Sequence, residues 1–177
     1  MNWQKLYKEY WQEGGIVMRL LILHTVAYLL IGLISLVCTL ITPLRWWDLG
    51  LSLSFYPEWD KVLYHPWSLV TYALPHLNFF HFFGNMCLVY ALLPVMAHRL
   101  GTRRFLWTYI GGIIAGALTY LLGYQLLGAK IMPPLSLQGA SAAILSVCAA
   151  AVMVDRKILS SFTLRFTGNR IPPIALW

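Results

Sequence analysis

The chain has 177 residues, 59% of them hydrophobic and only 11% charged. A soluble domain of that length cannot hide so much apolar surface, so the composition excludes a water-soluble globular protein and points to an integral membrane protein. The formal net charge of +7 does not indicate nucleic acid, because the basic residues sit in short links between apolar runs, where the orientation rule accounts for them.

Residues 1 to 18 read as a cytoplasmic or interfacial N-terminal segment. Trp3, Tyr7, Tyr10 and Trp11 recur at helical spacing among Lys5, Lys8 and Glu9, which suits either a short helix lying in the interface or a frayed tail. The first apolar run is too long for a signal-peptide h-region, and no small-residue cleavage site follows it. It gives a first span, about residues 20–42, ending at Pro43. His24 near its start reads as a packing hydrogen-bonder. Residues 44–74 are too polar and broken to cross. Trp46, Trp47, Tyr56, Trp59, Tyr64, Trp67 and Tyr72 suit a partly submerged loop with short helical pieces at headgroup depth.

A second span is expected over about 76–97, with His76, His81, Asn85 and Pro94, and a third over about 105–127. Gly112 and Gly116 in the third span are four apart, which lets another helix approach closely. Pro133 and Pro134 end what precedes them. A fourth apolar helix follows over about 139–154, too short to cross a ~30 Å core unaided. A fifth run opens after Arg170 and stops at Trp177, leading us to expect a chain that continues. The three cysteines, Cys38, Cys87 and Cys148, are each alone in an apolar span, with no metal or redox spacing.

Lys5, Lys8, Arg19, Arg99, Arg103, Arg104, Arg156, Lys157, Arg165 and Arg170 fall on one side of this topology. Only Arg45, Lys61 and Lys130 fall on the other. The bias puts the N-terminus in the cytoplasm and the aromatic loop outside. Spans two and four then both enter from the outer face, so His81, Asn85 and Ser141 share a depth. His81 and Asn85, at i and i+4, share one face, whereas His76, five before His81, is expected to point elsewhere. Polar groups at membrane depth are costly unless they face one another or a wet cavity. Ser141 is either a packing residue or a nucleophile. As a nucleophile it would have Asn85 and His81 as oxyanion donors, helped by the free N–H groups of its helix start. Gly139 and Ala140 would keep the space ahead of it open. No metal or cofactor is expected.

Order and spacing resemble the rhomboid family of intramembrane serine proteases. The resemblance is carried by His65-Pro66-Trp67-Ser68-Leu69-Val70-Thr71-Tyr72, Pro75-His76, His81-Phe82-Phe83-Gly84-Asn85-Met86, Leu100-Gly101-Thr102-Arg103-Arg104-Phe105 and Gly139-Ala140-Ser141-Ala142. It implies an all-α polytopic bundle, here four spans and the start of a fifth, within one membrane domain over 1–177. It also implies Ser141 as nucleophile, Asn85 and His81 as oxyanion donors, and substrate contacts at Gly139, Ala140 and His76. The implied partners are transmembrane helices of other membrane proteins and the bilayer itself, in a bacterial inner membrane.

The chain departs from the family pattern in three places. Ala142 stands where the family has glycine after the nucleophile. Arg45-Trp46-Trp47 reverses a Trp-Arg pair of the first loop. The family's general base is a histidine on a sixth span, and no histidine here follows His98. A serine without its base is a poor nucleophile, so residues 1–177 alone are expected to be inactive. An inactive relative that binds membrane helices without cutting is the alternative.

Overall fold

A computed structural model of the chain describes residues 15–41, 49–76 and 78–154. These residues form seven helices and no strand apart from one isolated bridge, between Phe55 and Leu137. In chain order they are α1 (Gly15–Ile41), α2 (Leu49–Leu53), α3 (Trp59–Tyr64), α4 (Ser68–Thr71), α5 (Phe79–Leu100), α6 (Thr102–Leu127) and α7 (Ser141–Val154). The expected N-terminal helix, Arg45-Trp46-Trp47, the basic link after α7 and the fifth apolar run lie outside the described residues.

Three helices, α1, α5 and α6, are long and apolar enough to cross a bilayer. At about 1.5 Å per residue the 27 residues of α1 reach roughly 40 Å, more than the hydrocarbon core needs. The 14 residues of α7 reach only about 21 Å, so this helix is the short one the sequence predicts. The boundaries shift where local chemistry decides them. The second span starts at Phe79 rather than at His76, because Asn78 is extended and its side-chain oxygen accepts from the His81 backbone N–H at 2.9 Å, an N-cap. It runs on to Leu100, where Gly101 at φ 75° turns the chain and the next residue begins α6. A left-handed φ of that kind costs glycine little and other residues more.

The short helix α7 packs against both α5 and α6, and α1 packs against α5. The core runs between them: Val89 and Leu93 of α5, Phe105 and Ala117 of α6, and Ala143, Val147 and Ala151 of α7 are fully buried. Lipid offers apolar groups as good an environment as protein does, so close packing must hold these helices together. Gly112 and Gly116 supply it. A β-carbon on Gly116 would lie 2.6 Å from the Ala142 methyl, and one on Gly112 would run into Ser146 and the Ala143 backbone. The glycine pair is therefore the groove in which α7 lies.

The segment between α1 and α5 folds into three short helices stitched to the bundle. Thr71 Oγ1 donates to the Leu53 carbonyl at 2.9 Å and Trp67 Nε1 to the Ser52 carbonyl at 3.3 Å. Gln125 of α6 reaches the Pro57 carbonyl at 3.0 Å. The Phe55–Leu137 bridge, with N···O distances of 3.1 and 2.8 Å, ties this segment to the link that leads into α7. Trp59, Tyr64 and Trp67 stay exposed, as aromatic side chains at a membrane interface do.

Candidate active site

Two helix starts meet at the site. Asn78 caps α5, which fixes the first turn that carries His81 and places Asn85 one turn further along the same face. The other start is built by the link before α7. Leu137 is held by the bridge to Phe55, and the Gly139 N–H donates to the Tyr72 carbonyl at 2.8 Å. Gly139 then turns the chain at φ +96°, Ala140 is fully buried, and Ser141 is the first residue of α7. The Ile144 N–H donates to the Ala140 carbonyl at 3.0 Å, the first bond of the helix.

The two starts touch at Gly139. A β-carbon there would lie 2.8 Å from His81 Cε1, 2.9 Å from His81 Nε2 and 3.2 Å from Asn85 Nδ2. Only a hydrogen at that position lets the imidazole and the amide approach the backbone two residues before Ser141. His81 and Asn85 therefore share the neighbour that the i, i+4 spacing leads one to expect. Asn85 is 5% exposed and its Nδ2 is buried with no partner among the described residues. A buried donor left unsatisfied is costly, about 1–3 kcal/mol, and such groups call for an explanation.

His76 differs from expectation. The reading that it points away from His81 assumed one continuous helix, but α5 begins three residues later. Its ring lies 5.2 Å from that of His81, edge to face, and it is enclosed by His24 and Tyr28 of α1 and Phe82 of α5. Its Nδ1 is 3.0 Å from the Leu74 carbonyl. Since a carbonyl only accepts, Nδ1 carries the proton. His24 is a packing residue, as expected: it is buried, with Nε2 2.7 Å from the Tyr109 hydroxyl of α6. His98 is exposed at the far end of α5.

Tyr72 is the positioning residue that the sequence did not single out. Its carbonyl holds Gly139, and its hydroxyl donates to the Ile113 carbonyl of α6 at 2.7 Å. That hydroxyl would also lie 2.7 Å from a β-carbon on Gly116. Burial pushes the phenol up to about 12, so it remains a donor through the physiological range. Its role depends on three segments far apart in sequence, and no local pattern announces it. The Asn78 cap was legible, as an asparagine three residues ahead of His81 at the start of an apolar run.

Among the described residues no cluster of histidine, cysteine or carboxylate side chains fit for a metal ion occurs. No curated protein and no solved structure matches the chain. Residues 64–175, well over half of the 177, match the family model of the rhomboid domain. That match spans the end of the loop, α5, α6, the turn at Gly139 and α7, and the chain belongs to the rhomboid family.

Proposed function

We propose that this rhomboid-family membrane protein is a serine endopeptidase that cleaves transmembrane helices of other membrane proteins near the outer face. Ser141 Oγ attacks the carbonyl carbon of the scissile peptide bond. The oxyanion is received by Asn85 Nδ2–H, a His81 ring N–H and the Ser141 backbone N–H. The tetrahedral intermediate expels the amine, which takes up a proton, and water then hydrolyses the acyl-serine. Gly139 admits His81 and Asn85 to the turn ahead of Ser141, and His76 backs His81. The observation that carries this reading is the meeting of His81 and Asn85 at Gly139, with the buried Asn85 amide lacking an acceptor among the described residues.

The proton leaving Ser141 needs a base. By family resemblance it is a histidine on a later span, and none of the five histidines here follows His98. Residues 1–177 by themselves should then carry no activity. The excess of basic residues on one side of the spans supports a cytoplasmic N-terminus. The test is labelling by a fluorophosphonate probe together with cleavage of a membrane-helix reporter. The complete gene product should be labelled and should cut, and Ser141→Ala should lose both. Residues 1–177 should show neither. Labelling that survives Ser141→Ala would overturn the assignment.

The second reading is an inactive relative that holds membrane helices without cutting them. Ala142, standing where the family pattern has glycine, is the feature in its favour. A coding sequence beyond Trp177 with an apolar span bearing a histidine among small residues favours the protease. A stop codon there favours the binder.

A further inference from the structure

Two buried histidines each leave one ring nitrogen without a partner among the described residues, Nδ1 of His24 and Nε2 of His76. Both residues are almost wholly enclosed, 2% and 8% exposed, and neither nitrogen is open to water. A buried polar atom in that position calls for a partner, and here only the protein itself can supply one. The two rings meet edge to face, with centroids 6.1 Å apart and planes at 83°.

Their tautomers are complementary. His76 Nδ1 stands 3.0 Å from the Leu74 carbonyl, which can only accept, so Nδ1 carries the proton. The rings around His76 are those of His24, Tyr28, His81 and Phe82. None is an anion, and a buried imidazolium among them would be uncompensated, so Nε2 is a bare acceptor. On the other side, His24 Nε2 lies 2.7 Å from the Tyr109 hydroxyl. The phenol has no second partner among the described residues, so its proton goes to Nε2, and that makes His24 Nδ1 a donor. We propose that His24 Nδ1–H donates to His76 Nε2, so that Tyr109 of α6, His24 of α1 and His76 form one hydrogen-bonded row ending on the Leu74 carbonyl. A bond of about 3 Å asks the two rings to turn their free nitrogens together and to close by roughly an ångström.

The row matters for the candidate site because it fixes a ring that touches it. His81 is held between Gly139, where a β-carbon would lie 2.9 Å from its Nε2, and His76, 5.2 Å away between ring centroids. With His76 tied at both ring nitrogens, that side of the clamp cannot drift. His24 thus acts, beyond its packing, as a positioning residue for His81, through His76 and from a different helix. This consequence rests on the protease reading above, whereas the row itself does not.

The test is NMR of the complete gene product, isotopically labelled at the histidine ring nitrogens, in bicelles. His24 and His76 should both be protonated at Nδ1, with a coupling across the hydrogen bond between His24 Nδ1 and His76 Nε2. Tyr109→Phe should remove that coupling, because it frees the His24 proton to move to Nε2. A proton on His24 Nε2 in the parent protein, or no coupling there, overturns the row. Cleavage kinetics on a membrane-helix reporter then test the positioning. His24→Phe keeps the bulk of the ring and should lower kcat roughly ten-fold, within the ~10²-fold that a misplacement of about 1 Å can cost, with KM unchanged. His24→Asn, whose amide can stand where Nδ1–H stands, should restore part of the loss. If His24→Phe does not fold, Tyr109→Phe takes its place with the same expected fall in kcat. Equal losses in His24→Phe and His24→Asn, or a loss carried by KM, would leave His24 a packing residue only and overturn the positioning. A gene product that cuts nothing fails the protease reading, while the spectrum still decides the row.

Discussion

Gly139 faces His81 so closely that a β-carbon on the glycine would lie 2.8 Å from the imidazole Cε1. Two helix starts, one capped by Asn78 and one opening at Ser141, are brought together by the absence of a side chain. Gly139→Ala meets two penalties at once: the φ of +96°, which alanine adopts at a cost, and the collision with His81 and Asn85. We expect a loss of roughly 1–3 kcal/mol in stability, read as a lower thermal midpoint in detergent. A variant as stable as the parent would mean that the turn relaxes freely and that the close approach is not a constraint.

The contact between α6 and α7 can be tested as a pair. In the rhomboid pattern glycine follows the serine, whereas here Ala142 fills that position and its methyl lies over Gly116. The extra methyl is thus accommodated by the groove. Gly116→Ala should destabilise by about 1–3 kcal/mol through overpacking, since the new methyl meets both Ala142 Cβ and the Tyr72 hydroxyl. Adding Ala142→Gly should return part of that loss, because the volume moves across the interface. A double-mutant cycle on thermal or denaturant unfolding measures the coupling, expected at about 0.5 kcal/mol or more between residues in contact. Simple additivity would separate the two positions.

These contacts show what was readable in advance. Hydrophobic length located α1, α5, α6 and the short α7, because a bilayer sets those lengths. The glycine pair at 112 and 116 announced a close helix neighbour, and the i, i+4 spacing of His81 and Asn85 put them on one face. Periodicity failed at His76, where a span boundary drawn from hydropathy ignored the Asn78 cap three residues upstream of His81. With α5 starting at Phe79, helical spacing no longer governs where His76 lies, and its ring sits beside His81. Tyr72 and the Phe55–Leu137 bridge were illegible for a different reason: each joins segments tens of residues apart, and neither leaves a local signature.

The cap itself is open to test. Asn78 Oδ1 accepts the His81 N–H at 2.9 Å, so Asn78→Ala should cost about 1 kcal/mol. Asn78→Asp or Asn78→Ser should recover most of it. Hydrogen exchange of the first-turn amides of α5 would report the fraying directly, with faster exchange at His81 in the alanine variant. An unchanged His81 amide would mean that another acceptor replaces the cap.

Asn85 separates stability from function most sharply. Its amide nitrogen is buried and lacks a partner among the described residues, which gain nothing from its donor capacity while the fold bears its desolvation. Replacing such a group by an apolar side chain of similar size is near neutral or stabilising, by roughly 1 kcal/mol. Asn85→Leu should therefore leave the thermal midpoint unchanged or raise it. In the complete gene product the same substitution should reduce cleavage of a membrane-helix reporter by about 10²-fold or more, the effect of losing one oxyanion donor. Asn85→Ala should lose activity as well, but with a modest fall in stability from the vacated volume. Strong destabilisation by Asn85→Leu would show that the amide already has a partner in the fold, and its assignment as a donor held ready for an oxyanion would fail.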